Sequence, residues 1–340
     1  MTRVPEIVTD HGIAAEKRWR IGEVPWRDEE PFPPHARVLV DNDFSGDPDD
    51  LFQIVHQVLT PTLEIRGVIC SHLRDGDPWA GDGDSAADAV AVARDVFARM
   101  GLLSDELILK GASAALGSAD APQDSEAARA IIAEAMRDDT DLPLFYLAGG
   151  GLTDLASAYL IEPRIASRLT LVWIGGAEHD GLAVPPLNAM PIEYNLLIDI
   201  TAGQVLFDAH DLEIWQIPRD VYRQCLVSEA ELRRRVAAAG PLGRHLYVEI
   251  RQIMALGRMP ESYALGDSPL VLVTALRSTF EPDSTSSPYV VKPTPQLTAE
   301  GAYRPMNGTR PMRVYTSVDQ RLMFEDFYLK LEEFEAWQAS

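Results

Sequence analysis

Short apolar runs alternating with helical stretches constrain the fold of this chain more than any other feature. RVLVD (37–41), LEIRGVIC (63–70), ELILKG (106–111), PLFYLAGG (143–150) and RLTLVWIGG (168–176) read as strands. Between them lie helical segments: 48–59, with Leu51, Ile54, Val55 and Val58 on one face, then 85–101 closed by Gly101, 125–138 and 152–160. Strands alternating with helices in this way make βαβ units, with a parallel sheet covered on both faces. The expected fold class is α/β: a mainly parallel central sheet, helices on both faces and a helical C-terminal part. Beyond about residue 226 the pattern is mainly helical. A Pro/Ser/Thr-rich stretch (281–311) containing Asn307-Gly308 reads as a hairpin, and a last helix covers 318–337. Residues 1–35, Pro-rich with Trp26 and Phe32, read as an arm against the body, and 36–340 as a single domain.

The same alternation locates the chemistry. Acidic and Gly-rich segments follow apolar strands directly, at their carboxyl ends, where ligands bind in open parallel sheets. The most informative is VLVDNDFSGDPDDL (38–51), which gathers Asp41, Asp43, Asp47, Asp49 and Asp50. Carboxylates this close repel one another, and each one buried costs several kcal/mol unless paired. A hard divalent cation removes that penalty, and Ca²⁺ accepts about six to eight oxygen ligands in flexible geometry. Gly46 leaves room for a sharp turn, and Pro48 can open a helix whose first turn holds Asp49 and Asp50. The alternative is a solvated acidic loop capping that helix. The apolar strand abutting the cluster, and the other polar segments in equivalent positions, favour metal.

Charge narrows the partners. With 30 Lys+Arg against 52 Asp+Glu the formal net charge is −22. Such a field repels phosphate backbones and attracts divalent cations, so no nucleic-acid polymer is expected as a partner. No apolar run reaches the ~18 residues of a membrane span, and the N-terminus lacks the apolar stretch of a signal peptide. A cytoplasmic location is the expectation. Two cysteines, Cys70 and Cys225, cannot make a disulfide framework.

Taken in order, these segments resemble the inosine–uridine nucleoside hydrolase family. Asp41–Asp50 is similar to the family's D-x-D-P-G-x-D-D opening, two residues longer between the second and third aspartates. LKGASAAL (109–116) resembles the Gly-Ala segment after the third strand, GGLTDLA (150–156) the G-P-L-T-N-L-A turn, and IGGAEHDG (174–181) the following Gly-Gly segment. EYNLLID (193–199) is similar to E-F-N-x-x-x-D, and GDSPL (266–270) to H-D-P-L. The resemblance implies Ca²⁺-dependent hydrolysis of the N-glycosidic bond of a ribonucleoside or related N-riboside. It implies that Asp43, Asp50, the Thr153 carbonyl and Asp267 hold Ca²⁺. Asp49 would bind the ribose 2′-hydroxyl, and Glu193 and Asn195 the 5′ side of the sugar. A calcium-bound water deprotonated by Asp43 would attack C1′, and carboxylates would stabilise the oxocarbenium-like ring left by the departing base. A nucleoside is the implied small-molecule partner, and a homodimer or homotetramer the implied assembly.

Three departures from the family pattern fall on the base side. The His before the last Asp is Gly266; the expected His-Gly pair is replaced by Pro122-Gln123-Asp124-Ser125-Glu126; and SHLRDGDPWAGDGDS (71–85) is unusually acidic. His72 and His179, each following a strand, become the candidates for protonating the leaving base, although such histidines are more often structural. Phe44, Trp79, Trp173 and Tyr194 are candidates for stacking on a base, each more often core. Two rival functions also fit parts of the pattern. One is a nucleoside- or sugar-binding homologue without turnover. The other is a haloacid-dehalogenase-like phosphatase, imitated by Asp41-Asn42-Asp43, Ser71, Lys110 and Gly266-Asp267 but lacking a second aspartate at Val271.

Overall fold

The computed structural model describes residues 11–80, 83–257, 261–277 and 286–340. Strand β1 (Ala36–Asn42) is buried at every position. Strand β2 (Leu63–Cys70) pairs with one edge of β1 in parallel. On that side β3 (Ile108–Lys110) follows β2. On the other edge come β4 (Leu144–Ala148), β5 (Thr170–Ile174) and β6 (Glu213–Ile217), all parallel. A strand with neighbours on both edges and helices on both faces has no polar face, so VLV needs no alternation to be a strand.

Two small ribbons stand outside this sheet: β7 (Leu226–Ser228) with β8 (Ser262–Ala264), and β10 (Gln296–Leu297) with β11 (Tyr303–Arg304). The hairpin reading of 281–311 falls partly on 278–285, outside the described residues. Of the rest, β9 (Tyr289–Pro293) and β12 (Pro311–Tyr315) do pair antiparallel, and β12 also joins β6 in parallel. Among the described residues the main sheet therefore has eight strands in the order β3-β2-β1-β4-β5-β6-β12-β9. Neither β6 nor this use of β12 was foreseen. EIWQI (213–217) carries Glu213 and Gln216, which mask a buried strand, and the β12 partner lies far away in sequence. The strand expected over 106–111 is also shorter, because Asp105–Leu107 forms a 3₁₀ turn.

Local signals start and stop the helices. Helix α1 (Asp49–Val58) follows Pro48. Asp84 accepts from the Ala86 and Ala87 N–H groups to start α2 (Ser85–Met100), which Gly101 ends at φ 70°. The Ser125 hydroxyl accepts from Ala128 N–H at the head of α3 (Glu126–Ala135). Then come α4 (Thr153–Ile161), α5 (Tyr194–Ile198), α6 (Ile200–Asp208), α7 (Arg219–Tyr222), α8 (Glu229–Glu231), α9 (Pro241–Gly257), α10 (Pro269–Ala275) and α11 (Gln320–Ala339). Helices α1, α2, α9, α10 and α11 cover one face over Val38, Val40, Ile54, Phe97, Leu246 and Leu331. Helices α3, α4 and α6 cover the other over Leu39, Ile69, Ile131, Leu155 and Leu206. Trp19 is buried among these elements: it meets Trp26 edge-on at 4.8 Å and donates to the Met100 carbonyl at 2.7 Å. Among the described residues no helix is long and apolar enough to cross a membrane.

The connections place the ligand crevice. From β1 the chain moves outward to β2 and β3, then returns to β4 and moves the other way. That reversal opens a crevice at the carboxyl ends of β1 and β4, the usual ligand position in such sheets.

Candidate functional site

The segments that follow β1 and β4 meet at the reversal, where Gly149 N–H donates to the Asp41 carbonyl at 2.9 Å. Past β1, Gly46 N–H donates to the Asp43 carbonyl at 2.7 Å and turns the chain into α1. Asp49 and Asp50 therefore fall in the first turn of that helix, where its unpaired N–H groups favour negative charge. Asp267 lies just before α10, and Glu193 caps α5. Together they enclose a cavity of about 300 Å³ lined by Asp43, Asp47, Asp49, Asp50, Trp79, Gly149, Ile174, Glu193, Tyr194, Asn195, Tyr222, Gly266 and Asp267.

Its floor is a like-charge cluster. Carboxylate oxygens of Asp49, Asp50 and Asp267 lie within 4.8 Å of one another, and all three residues are buried. Asp43 shares the cavity but stands beside this trio. Burial pushes Asp267 up to about 7, with the charges of Asp47 and Glu193 adding to it. Burial, and then Asp267, hold Asp43, Asp49 and Asp50 well above the usual carboxylate range. One buried Asp50 oxygen, Oδ2, has no hydrogen-bond partner. An orphaned buried oxygen, an all-oxygen donor set and mutual repulsion together fit a hard divalent cation. Gly149 lets the backbone reach this floor: a Cβ there would lie 2.5 Å from both Asp267 Oδ2 and Asn42 Oδ1.

Not every expected residue reaches the cavity. Thr153 does not. It opens α4, outside the residues that line the cavity, and its hydroxyl donates to Asp199 Oδ2 at 2.8 Å. Gly149, four residues earlier, does line the cavity, and its carbonyl accepts from the Asn195 amide at 2.8 Å. Without a side chain it carries no signal in the sequence. His72 is buried against the Leu73 carbonyl and the Thr153 hydroxyl, at 2.8 and 2.9 Å. His179 bonds Gln216 at 2.8 Å and stacks on Tyr303, facing a separate cavity of about 500 Å³. Strand ends bring these histidines to the right edge of the sheet, but local packing turns both away.

The remaining candidates divide by burial. Phe44 and Trp173 are core, whereas Trp79 and Tyr194 line the cavity. Asn195 donates to the Gly149 and Ile174 carbonyls, both at 2.8 Å. Asp47 accepts from the Tyr263 hydroxyl at 2.6 Å and borders an adjoining cavity of about 630 Å³. Asp41 stays behind the floor, accepting from the Tyr146 hydroxyl at 2.5 Å. Lys110 pairs with Asp84, apart from the cluster, which removes the lysine a phosphatase site would need. Tyr222, on the cavity wall, has no signal in the sequence.

Fold and cavity define an α/β protein with a carboxylate-lined cavity at the switch point of its sheet. The profile of the inosine-uridine preferring nucleoside hydrolase family matches residues 38–324, and the chain belongs to that family. The phosphatase alternative is thereby overturned. Over 188 residues the chain is 28% identical to the inosine-uridine preferring nucleoside hydrolase of Crithidia fasciculata, covering 53% of this chain and 56% of that one. Over 96 residues it is 35% identical to the protein of the same description from Leishmania major, covering 27% of each. The chain thus spans about half the length of the first relative and about a quarter of the second. A solved plant nucleoside hydrolase superposes with a TM-score of 0.67 at 15% identity, over 88% of this chain and 99% of that one. A purine-preferring ribonucleoside hydrolase from Gardnerella vaginalis gives 0.65 at 20% identity with the same coverage. Likeness at these identities shows the fold.

Proposed function

We propose that this chain is a Ca²⁺-dependent N-ribohydrolase, cleaving the N-glycosidic bond of a ribonucleoside or related N-riboside to free base and ribose. The supporting observation is the gathering of Asp43, Asp49, Asp50 and Asp267 in one cavity, with Glu193, Asn195 and Tyr194 on its wall. Asp49, Asp50 and Asp267, with Asp43 beside them, would hold the cation. When bound, calcium supplies Lewis acidity and an anchor for vicinal sugar hydroxyls. Asp43, kept basic by burial and by the charge of Asp267, takes the proton of the attacking water. Asp49 Oδ2 accepts from Gly266 and Asp267 N–H at 2.7 and 3.3 Å, and its other oxygen is left to bind the 2′-hydroxyl. The carboxylate floor stabilises the positive charge that develops on the ring as the base departs.

Among the described residues no histidine lines the cavity, so the leaving base is activated weakly, by a different donor or by solvent. The same observation favours a second reading, a nucleoside- or sugar-binding homologue without turnover. A reducing-sugar assay over a nucleoside panel, with and without EDTA, separates the two. Chelator-sensitive ribose release supports hydrolysis; tight nucleoside binding with no base released over hours supports the alternative. A homodimer or homotetramer is part of the proposal. Val184 and Leu187, 83% and 92% exposed, are the surface it would cover, and a monomeric mass in sedimentation would count against it.

A further inference from the structure

Glu193 belongs to the sugar wall of the proposed site, yet its carboxylate is already full. Oε2 accepts from Gly176 N–H at 2.6 Å and Leu196 N–H at 3.1 Å. Oε1 accepts from Asn195 N–H at 3.2 Å and from the Tyr222 hydroxyl at 2.7 Å. A carboxylate offers about four lone-pair positions, so each one here has a donor. Three of those donors are backbone N–H groups that begin α5 and fix the turn after β5, and they cannot be released without undoing that local structure. The fourth is a side chain, and it lines the cavity. Burial and the Glu193 charge keep the Tyr222 hydroxyl protonated well above its ordinary range, so it stays a donor. Its ring lies over Gly266, where a Cβ would come within 3.3 Å of Tyr222 Cδ2. Tyr222 therefore spans the wall from Gly266, beside Asp49, across to Glu193.

We infer that the Tyr222 hydroxyl stands where a sugar 5′-hydroxyl would donate to Glu193, so that the cavity takes N-ribosides with no hydroxyl on C5′. The inference deepens the hydrolase proposal and rests on it. A C5′ methyl packs on the phenol ring and leaves nothing unpaired. A 5′-hydroxyl meets a Glu193 carboxylate that is already saturated, and must either break the 2.7 Å bond to that buried group or exchange it for the weaker, neutral acceptor of the Tyr222 oxygen. The chemistry balances as for any N-riboside: the C1′–N bond breaks, the water oxygen bonds C1′, and the water's protons end on the 1-hydroxyl of 5-deoxyribose and on the released base.

The test compares kcat/KM for matched pairs, adenosine with 5′-deoxyadenosine and uridine with 5′-deoxyuridine, on the Ca²⁺-loaded wild type and on Tyr222→Phe. The wild type is expected to favour the 5′-deoxy member by at least fivefold, within the roughly hundredfold that rejection of one added hydroxyl can reach. In Tyr222→Phe, which frees Glu193 Oε1 and keeps the ring, the ratio should fall about tenfold, mainly through KM for the 5′-hydroxyl member. A wild-type ratio below fivefold, or a ratio unmoved in the variant, overturns the inference. If the variant does not fold, the wild-type ratio decides alone. If neither member of any pair is hydrolysed, the hydrolase proposal fails; the binding of ribose against 5-deoxyribose, read by calorimetry with the same fivefold threshold, then still decides the role of Tyr222.

Discussion

Asp267→Asn takes one charge off the carboxylate floor while keeping its shape, and its effect should change sign with calcium. Burial, with Asp47 and Glu193 nearby, raises Asp267 from 3.8 to about 7. The folded-state value lies above the unfolded one, so the contribution of this group to stability is full below pH 3.8 and is lost as the pH rises through 7. At pH 8 without metal, forcing the group to ionise costs roughly 4 kcal/mol as an upper bound, at about 1.36 kcal/mol per pKa unit. Asparagine removes that cost but gives up part of the hydrogen bond to Asp50, leaving a net stabilisation of about 1–3 kcal/mol in EDTA. Calcium at about a hundred times its Kd adds roughly 2.7 kcal/mol to a protein that binds it, and little to a variant missing a ligand. Urea unfolding at pH 8, in EDTA and in Ca²⁺, measures both arms. A variant weaker than wild type in EDTA refutes the repulsion argument. Equal stabilisation of both proteins by Ca²⁺ refutes Asp267 as a ligand.

Other outcomes follow from the same geometry. Asp50 and Asp267 are coupled through a shared hydrogen bond, so Ca²⁺ titrations at pH 7 should release protons. Calorimetric heats that do not depend on buffer ionisation enthalpy would contradict this. Burial lowers His56, bonded to Asp326 at 2.8 Å, from 6.5 to about 4. The unfolded chain therefore binds more protons between those values. Stability is full above pH 6.5 and falls toward pH 4, by up to about 3 kcal/mol, and urea titrations of His56→Gln should show a flatter slope. Because His72 and His179 point away from the cavity, His72→Ala and His179→Ala should each leave the acidic limb of the pH–rate profile in place. A displaced limb in either variant would return that histidine to the chemistry.

What could be read from the sequence was what local physics decides. Continuous apolar runs marked the central strands, Gly101 marked a helix end, and the aspartates of 41–50 marked the acidic wall of the cavity. Residues whose role depends on direction or distant packing were not legible. The resemblance pointed to the Thr153 carbonyl, yet the residue of that turn that lines the cavity is Gly149, where only the missing Cβ matters. His72 and His179 lie at the predicted sheet edge, but contacts from Thr153 and Gln216 turn them away. Asp49 was assigned to catalysis and to the ribose 2′-hydroxyl, not to the cation, and the fold also sets it among the Asp50 and Asp267 oxygens. Nothing in DVYRQC distinguishes Tyr222 until α7 is packed against Glu193 and Gly266.

The cavity floor draws Asp43 and Asp50 from the start of the sheet, Gly149 from its middle and Asp267 from just before α10. No short stretch of the chain contains it. Local turns such as the Gly46–Asp43 bond can form early, but the Asp50–Asp267 encounter must wait for a loop of most of the chain to close, and such non-local contacts are slow. Cation affinity should therefore be absent from partly folded chains and arrive with the last long-range contact. In refolding, calcium would act as a latch on completed structure rather than as a seed for it, slowing unfolding far more than it speeds folding.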